Sequence, residues 1–167
     1  MRRAIAALLL GLLPAPLCAA PCVMPTPGAI AAAAGPPGGV AAAFGDSVIT
    51  TYDLQQGLAL RLALEGVDGK PLARKAGDEL KTMELEEGWL ADARARNISV
   101  APAEVDAAIA AMLDAGHVSP AMLQAMLTRT GATMASLRGR IAVAIAHAKA
   151  RGVALSLPYR IAQRACR

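Results

Sequence analysis

Helix starts and stops recur so closely along this chain that only short, antiparallel helices can form between them. Thr51 stands before Tyr52-Asp53-Leu54 as a helix cap, and Gly66 and Gly69 close that segment. Pro71 opens a second helix that runs to about Arg96, with Asn97 as a left-handed stop. Pro102 at a first helical position and Gly116 bound a third, Ser119-Pro120 and Gly131 a fourth, and Thr133 and Gly152 a fifth. Each segment carries an apolar face of helical period. These faces are Leu54, Leu58 and Leu62; Leu72, Ala76, Leu80 and Met83; Val105, Ile109, Met112 and Leu113; Met122, Leu123, Met126 and Leu127; and Leu137, Ile141, Ala144, Ile145 and Ala148.

Ahead of them, Val40–Phe44 and Val48–Thr50 flank Gly45-Asp46-Ser47, which predicts a short β-hairpin. The expected fold is mainly α: a compact domain of five or six helices led by a hairpin, spanning residues 40–152. Residues 153–167 form a tail that contains Pro158 and has room for a short helix. Residues 21–39 are rich in Pro, Gly and Ala and read as a linker without packed structure.

The first 20 residues read as an export signal. Met1-Arg2-Arg3 is basic, Ala4–Leu17 is an apolar run broken by Pro14 and Pro16, and Ala19-Ala20 are small. The run is too short to span a bilayer, which needs about 18 apolar residues; the other reading is a short anchor or buried helix. Pro21 makes the cleavage point ambiguous, and Ala31–Ala34 offer later sites. The sequence therefore predicts export. Removing residues 1–20 takes two arginines from a net charge of +4 and leaves +2, with no basic stripe. Aromatics are 2% of the chain. Clustered cations and stacking platforms are what nucleic-acid binding needs, so that class is excluded. Cys22 and Cys166 would remain near the two ends, either paired in an oxidising compartment or as two free thiols.

Chemistry-bearing constellations are lacking. His117 falls in a predicted loop and His147 late on a helix, both read as solvated. Glu84, Glu86 and Glu87 crowd one turn and read as a charged solvated face. No HExxH, GxSxG, P-loop or GxGxxG pattern occurs, and Gly45 and Gly57 lack the strand–loop–helix setting of a phosphate site. The expectation is a non-enzyme without cofactor or metal. Two kinds of residue suggest contact with other polypeptides. Met122 and Met126 lie one turn apart, as filler of an Ala-rich core or as the lining of an adaptable groove. Leu85 and Trp89 form a stripe displaced from that of Leu72 and Leu80, with Trp89 covering a helix seam or lining a cleft.

The order of these elements resembles a known family. Residues 40–54, Val-Ala-Ala-Ala-Phe-Gly-Asp-Ser-Val-Ile-Thr-Thr-Tyr-Asp-Leu, are similar to the opening of SurA-type periplasmic chaperones: a strand, a tight turn, Val-Ile-Thr, then a helix starting at an Asp. Asn97-Ile98-Ser99-Val100-Ala101-Pro102 looks like that family's Gly-Ile-x-Val connector, and Ser119–Leu123 and Thr130–Arg138 continue the likeness, which covers about residues 40–151. It implies the N-terminal, peptide-binding domain alone, a holdase for unfolded outer-membrane proteins that works without ATP. The family's parvulin isomerase domains have no counterpart here, so no isomerase activity carries over. Glu84 and Gly88 depart from the family, which has large aliphatic residues there. The resemblance implies a client groove, for which Leu85, Trp89, Met122 and Met126 are the candidates. The other readings are a non-catalytic interaction module that forms a homodimer or docks one partner, and a truncated relic of a longer chaperone-isomerase.

Overall fold

The computed structural model describes residues 23–157 and 159–161. Six helices and one hairpin are present among them: α1 (Pro27–Ala34), β1 (Val40–Phe44), β2 (Ser47–Thr50), α2 (Thr51–Glu65), α3 (Leu72–Ala95), α4 (Pro102–Gly116), α5 (Pro120–Thr130) and α6 (Met134–Arg151). The mainly helical, hairpin-led fold is as expected. The export signal, the cleavage point after Ala20 and both Cys22 and Cys166 lie outside the described residues, whereas the later sites at Ala31–Ala34 fall within α1.

Helix α1 corrects the reading of residues 21–39 as a linker. Thr26 Oγ1 accepts the Ala29 N–H, Pro27 occupies the first turn, and alanines fill the rest. Eight residues cannot hold a helix in water on their own. Burial does the rest: Ile30 is fully enclosed and joins the main core.

The hairpin pairs Val40 with Thr50, Ala42 with Ile49, Ala43 with Val48 and Phe44 with Ser47, with a bulge between Val40 and Ala42. Only Gly45 has positive φ in the connection, as a Gly-first two-residue turn requires. Thr50, not Thr51, caps α2. Its Oγ1 accepts the Asp53 N–H while Asp53 Oδ2 accepts the Thr50 N–H, a reciprocal capping box. The Thr51 hydroxyl donates instead to the Pro36 carbonyl and ties the loop before β1 to α2.

Helix α2 is the hub, packed against α1, α3, α5 and α6 and touched by both strands. Leu58, Leu60, Leu62 and Leu64 are all buried, so it is apolar around most of its circumference. Gln56, also buried, is fully employed. Its amide nitrogen donates to the Gly131 carbonyl, and its oxygen accepts from the Thr133 N–H and the Ser136 hydroxyl. One side chain thus locks α2 to the turn between α5 and α6.

The later helices follow their sequence signals. Ser119 and Thr133 cap α5 and α6, and Gly131 and Gly152 end them in left-handed conformations. Asn97 is also left-handed, and the last left-handed residue of α4 is His117, one past Gly116. The expected inner faces of α4 and α6 are buried; on α5 Leu123 and Leu127 are buried, whereas Met126 is half-covered and Met122 exposed.

Helix α3 does not follow its signal. Of Leu72, Ala76, Leu80 and Met83, only Ala76 is buried; the other three are half-covered. The inner face carries Lys75, Glu79, Glu86 and Ala93 instead. Charged side chains occupy core positions there because neighbouring helices supply counter-charges. The described part of the tail is not helical, but it folds back and buries Tyr159 to 2% exposure.

Candidate functional site

Helix α3 separates two concavities. On one side Phe44, at the hairpin tip, lies across α3 with Leu85, Gly88 and Trp89, and Lys81 and Glu84 form the rim. This open cleft holds about 510 Å³. Leu85 is 62% exposed and Phe44 45%, large apolar groups that the core leaves unused. Val40, Val48 and Tyr52 are also exposed on the hairpin and the start of α2.

Trp89 is fixed from behind. Its ring stacks on His147 of α6, with centroids 4.1 Å apart and planes 21° from parallel. The reading of His147 as a solvated residue is therefore corrected: it is half-buried and braces the indole. His117 is exposed, as expected.

Gly88 brings the Phe44 ring close to α3, but it is not required for space. A methyl group there would sit 3.8 Å from Phe44 Cζ, ordinary contact. Gly88→Ala should therefore raise stability by about 1 kcal/mol through helix propensity, read as a rise of about 2–4 °C in melting temperature. A fall would show that the hairpin needs closer access to α3.

On the other side of α3 lies a cleft of about 410 Å³. Leu60, Met83, Leu90 and Val143 make its apolar walls, and Tyr52, Glu86 and Arg140 also line it. Glu86 and Arg140 belong to a buried charge network. Glu79, with no exposure, receives Arg61 Nε at 2.6 Å and Arg140 Nη1 at 2.8 Å. Arg140 Nε lies 2.8 Å from Glu86 Oε2. The Arg140 contacts are ion pairs whose N–H directions miss the carboxylate oxygens, and Nη2 has no acceptor. Burial, opposed by the Arg140 charge and reinforced by that of Glu79, pushes Glu86 up to about 7. Glu86 is thus not part of a solvated face; Glu84 and Glu87, its neighbours, are half-buried.

Gly57 is where α2 crosses this network. A Cβ there would stand 2.6 Å from Glu79 Oε1 and 2.9 Å from Arg140 Nη1. The absence of a side chain is what lets the ion pair lie against the helix backbone.

Leu85 and Trp89 line one cleft. Met122 and Met126 do not join them: both are on α5, Met122 exposed and Met126 packed at the core edge, and neither lines a concavity described here. Phe44, His147 and Arg140 were not among the sequence candidates. The turn signal of Gly45-Asp46 put Phe44 at a hairpin tip, but only tertiary packing sets it over α3.

Among the described residues there is no group of three or more His, Cys, Asp or Glu arranged to hold a metal ion. No helix among them is long and apolar enough to cross a membrane. Comparison with protein-family models, with curated proteins and with solved structures finds no match. No catalytic family therefore indicates an enzyme.

Proposed function

We propose that this chain is an ATP-independent, holdase-like domain that shields apolar segments of unfolded outer-membrane polypeptides in the periplasm. The observation that carries this reading is the open cleft of Phe44, Leu85 and Trp89, apolar in lining and charged at its rim. A domain that has already enclosed an aliphatic core keeps such groups outside at a cost, and exposed apolar patches of this kind mark association. The cleft contains no catalytic constellation, so its chemistry is capture by burial. Binding of that kind is reversible without nucleotide. The resemblance to SurA-type chaperones supplies the client class and the compartment.

Leu85→Ser tests the site. Leu85 is mostly exposed, so the change should move the melting temperature little while weakening capture of a denatured porin by about tenfold, the effect of losing one well-buried leucine at a contact. Trp89→Ser should do the same at some expense in stability, because it also removes the stack on His147. Met122→Ser serves as the control and should leave binding unchanged. Equal affinity in all three variants would reject the cleft as the site.

A second reading rests on the hairpin. Among the described residues each strand has one partner, which leaves its outer edge without a strand, and Val40 and Val48 are exposed beside those edges. Such edges suit dimerisation of an interaction module. A stable dimer in sedimentation, with no affinity for denatured porin, would favour it.

A further inference from the structure

The tail after α6 lies in a cleft as an extended peptide would. Leu155, Leu157, Tyr159 and Ile161 alternate with Ser156 and Arg160, the period of an extended chain. From Ser156 onward the alternation is obeyed: Leu157, Tyr159 and Ile161 pack on the main core and Ser156 and Arg160 are exposed, whereas Leu155, 43% exposed, stays outside it. Val153 donates its N–H to the Ala148 carbonyl. Beyond it, no backbone–backbone hydrogen bond holds the tail among the described residues. Side chains alone seat it.

The seat is shaped for apolar side chains, yet its occupant fits imperfectly. At the end of α4, a methyl group on Gly116 would come within 2.9 Å of Ile161 Cβ, so the helix is bare where Ile161 passes. Tyr159 enters the charged interior with its ring 5.8 Å from the Arg140 guanidinium carbon. Its hydroxyl is buried there and has no partner among the described residues. A stranded hydroxyl opposes burial, and a phenylalanine in the same seat would not suffer it. Between α4 (Ala111, Met112, Ala115) and the tail itself (Leu155, Leu157, Ile161) an open space of about 490 Å³ remains.

We propose that this cleft is a second polypeptide-binding groove, which the chain's own tail fills until an extended client segment of the pattern apolar-x-aromatic-x-apolar displaces it. The tail is a built-in competitor, weakened by the hydroxyl of Tyr159. Among the described residues, no backbone ladder has to break when it leaves. The proposal rests on the polypeptide-binding reading but concerns a groove separate from that of Phe44, Leu85 and Trp89.

The test uses the full chain with 3-fluorotyrosine in place of its two tyrosines. Tyr52 is exposed and Tyr159 buried, so each gives its own fluorine resonance. The probe is the dansylated peptide Ala-Leu-Ser-Leu-Pro-Phe-Arg-Ile, with a scrambled peptide beside it. Saturable binding of the probe should move the Tyr159 resonance to a solvent-exposed position in step with occupancy, and the scrambled peptide should do neither. In unlabelled chains, Tyr159→Phe should seat the tail more firmly and weaken probe binding by about fivefold. Probe binding that leaves the Tyr159 resonance in place would overturn the displaceable tail while leaving capture at α3 standing. An unchanged or raised affinity in Tyr159→Phe would also overturn it. Absence of probe binding would overturn the second groove, and the Leu85→Ser assay then judges the first groove separately.

Discussion

Replacing Glu79 by alanine should destabilise the domain by about 3–5 kcal/mol, the range for breaking one side of a buried ion pair. Glu79 is completely enclosed and stands between Arg61 and Arg140. Without it, Arg140 keeps only Glu86, and Arg61 keeps only the partly exposed Glu65 at 3.4 Å. Two guanidinium groups would then share a space that water barely reaches. A domain of this size has a total stability of only about 5–15 kcal/mol, so the loss is a large fraction of it. The melting temperature should fall by about 10 °C or more. The difference should persist at high salt, because a buried pair is little screened. A fall of only a few degrees, or one erased by salt, would show that the network is solvated in solution. Exchanging Glu79, Glu86 and both arginines together for alkyl side chains of similar volume is expected to cost far less, since such exchanges spare the desolvation of every charge in the network.

The second large effect is a dependence of stability on pH that comes from Glu86. Its carboxyl is raised to about 7 from an ordinary value of 4.5. Between those values the unfolded chain has released the proton and the folded chain keeps it. The folded state binds more protons there, so stability falls as pH rises. Below the window both states are protonated and above it both are ionised, so the effect stops at either end. The window corresponds to about 3 kcal/mol. Asp68, Glu104 and Asp106 act in the opposite sense. Lys75, Lys149 and Arg138 hold their carboxyls below the ordinary range, so their contribution is lost under acid conditions below that range. Chemical denaturation should therefore show greatest stability near pH 5 and a decline toward pH 8. Glu86→Gln should abolish the decline and be the more stable protein at pH 8. Stability that rises from pH 5 to 8, or a Glu86→Gln profile parallel to wild type, would contradict the assignment.

What could be read from the sequence was local. Ser119-Pro120, Thr133, Gly131 and Gly152 carry their own capping chemistry, and α5 and α6 begin and end where those residues say. Helix α1 escaped because its Pro/Gly/Ala composition is shared with real linkers. The Thr26-Pro27 start and the lone Ile30 were its only marks. The inner face of α3 escaped for a different reason. Glu79 and Glu86 recur at heptad spacing beside Ala76 and Ala93, a core pattern with charges in two core positions. Nothing near them in sequence announces Arg140, which arrives from α6. In the candidate site, Leu85 and Trp89 were legible because they share a stripe on one helix. The cleft needs Phe44 from the hairpin and the brace of His147 from α6, and both are tertiary facts.

The bare backbone at Gly57 has a consequence for how this sequence can drift. Helix propensity favours any larger residue at that position, so selection on the isolated helix would replace the glycine readily. The carboxylate of Glu79 and the guanidinium of Arg140 oppose it, because a methyl group would stand 2.6 Å from Glu79 Oε1 and 2.9 Å from Arg140 Nη1, and these side-chain ends would have to shift. The three positions are therefore coupled: a larger residue at 57 is tolerated more readily once Glu79 or Arg140 has shortened. Alanine at position 57 with both charged partners retained should move the ion pair from its present geometry.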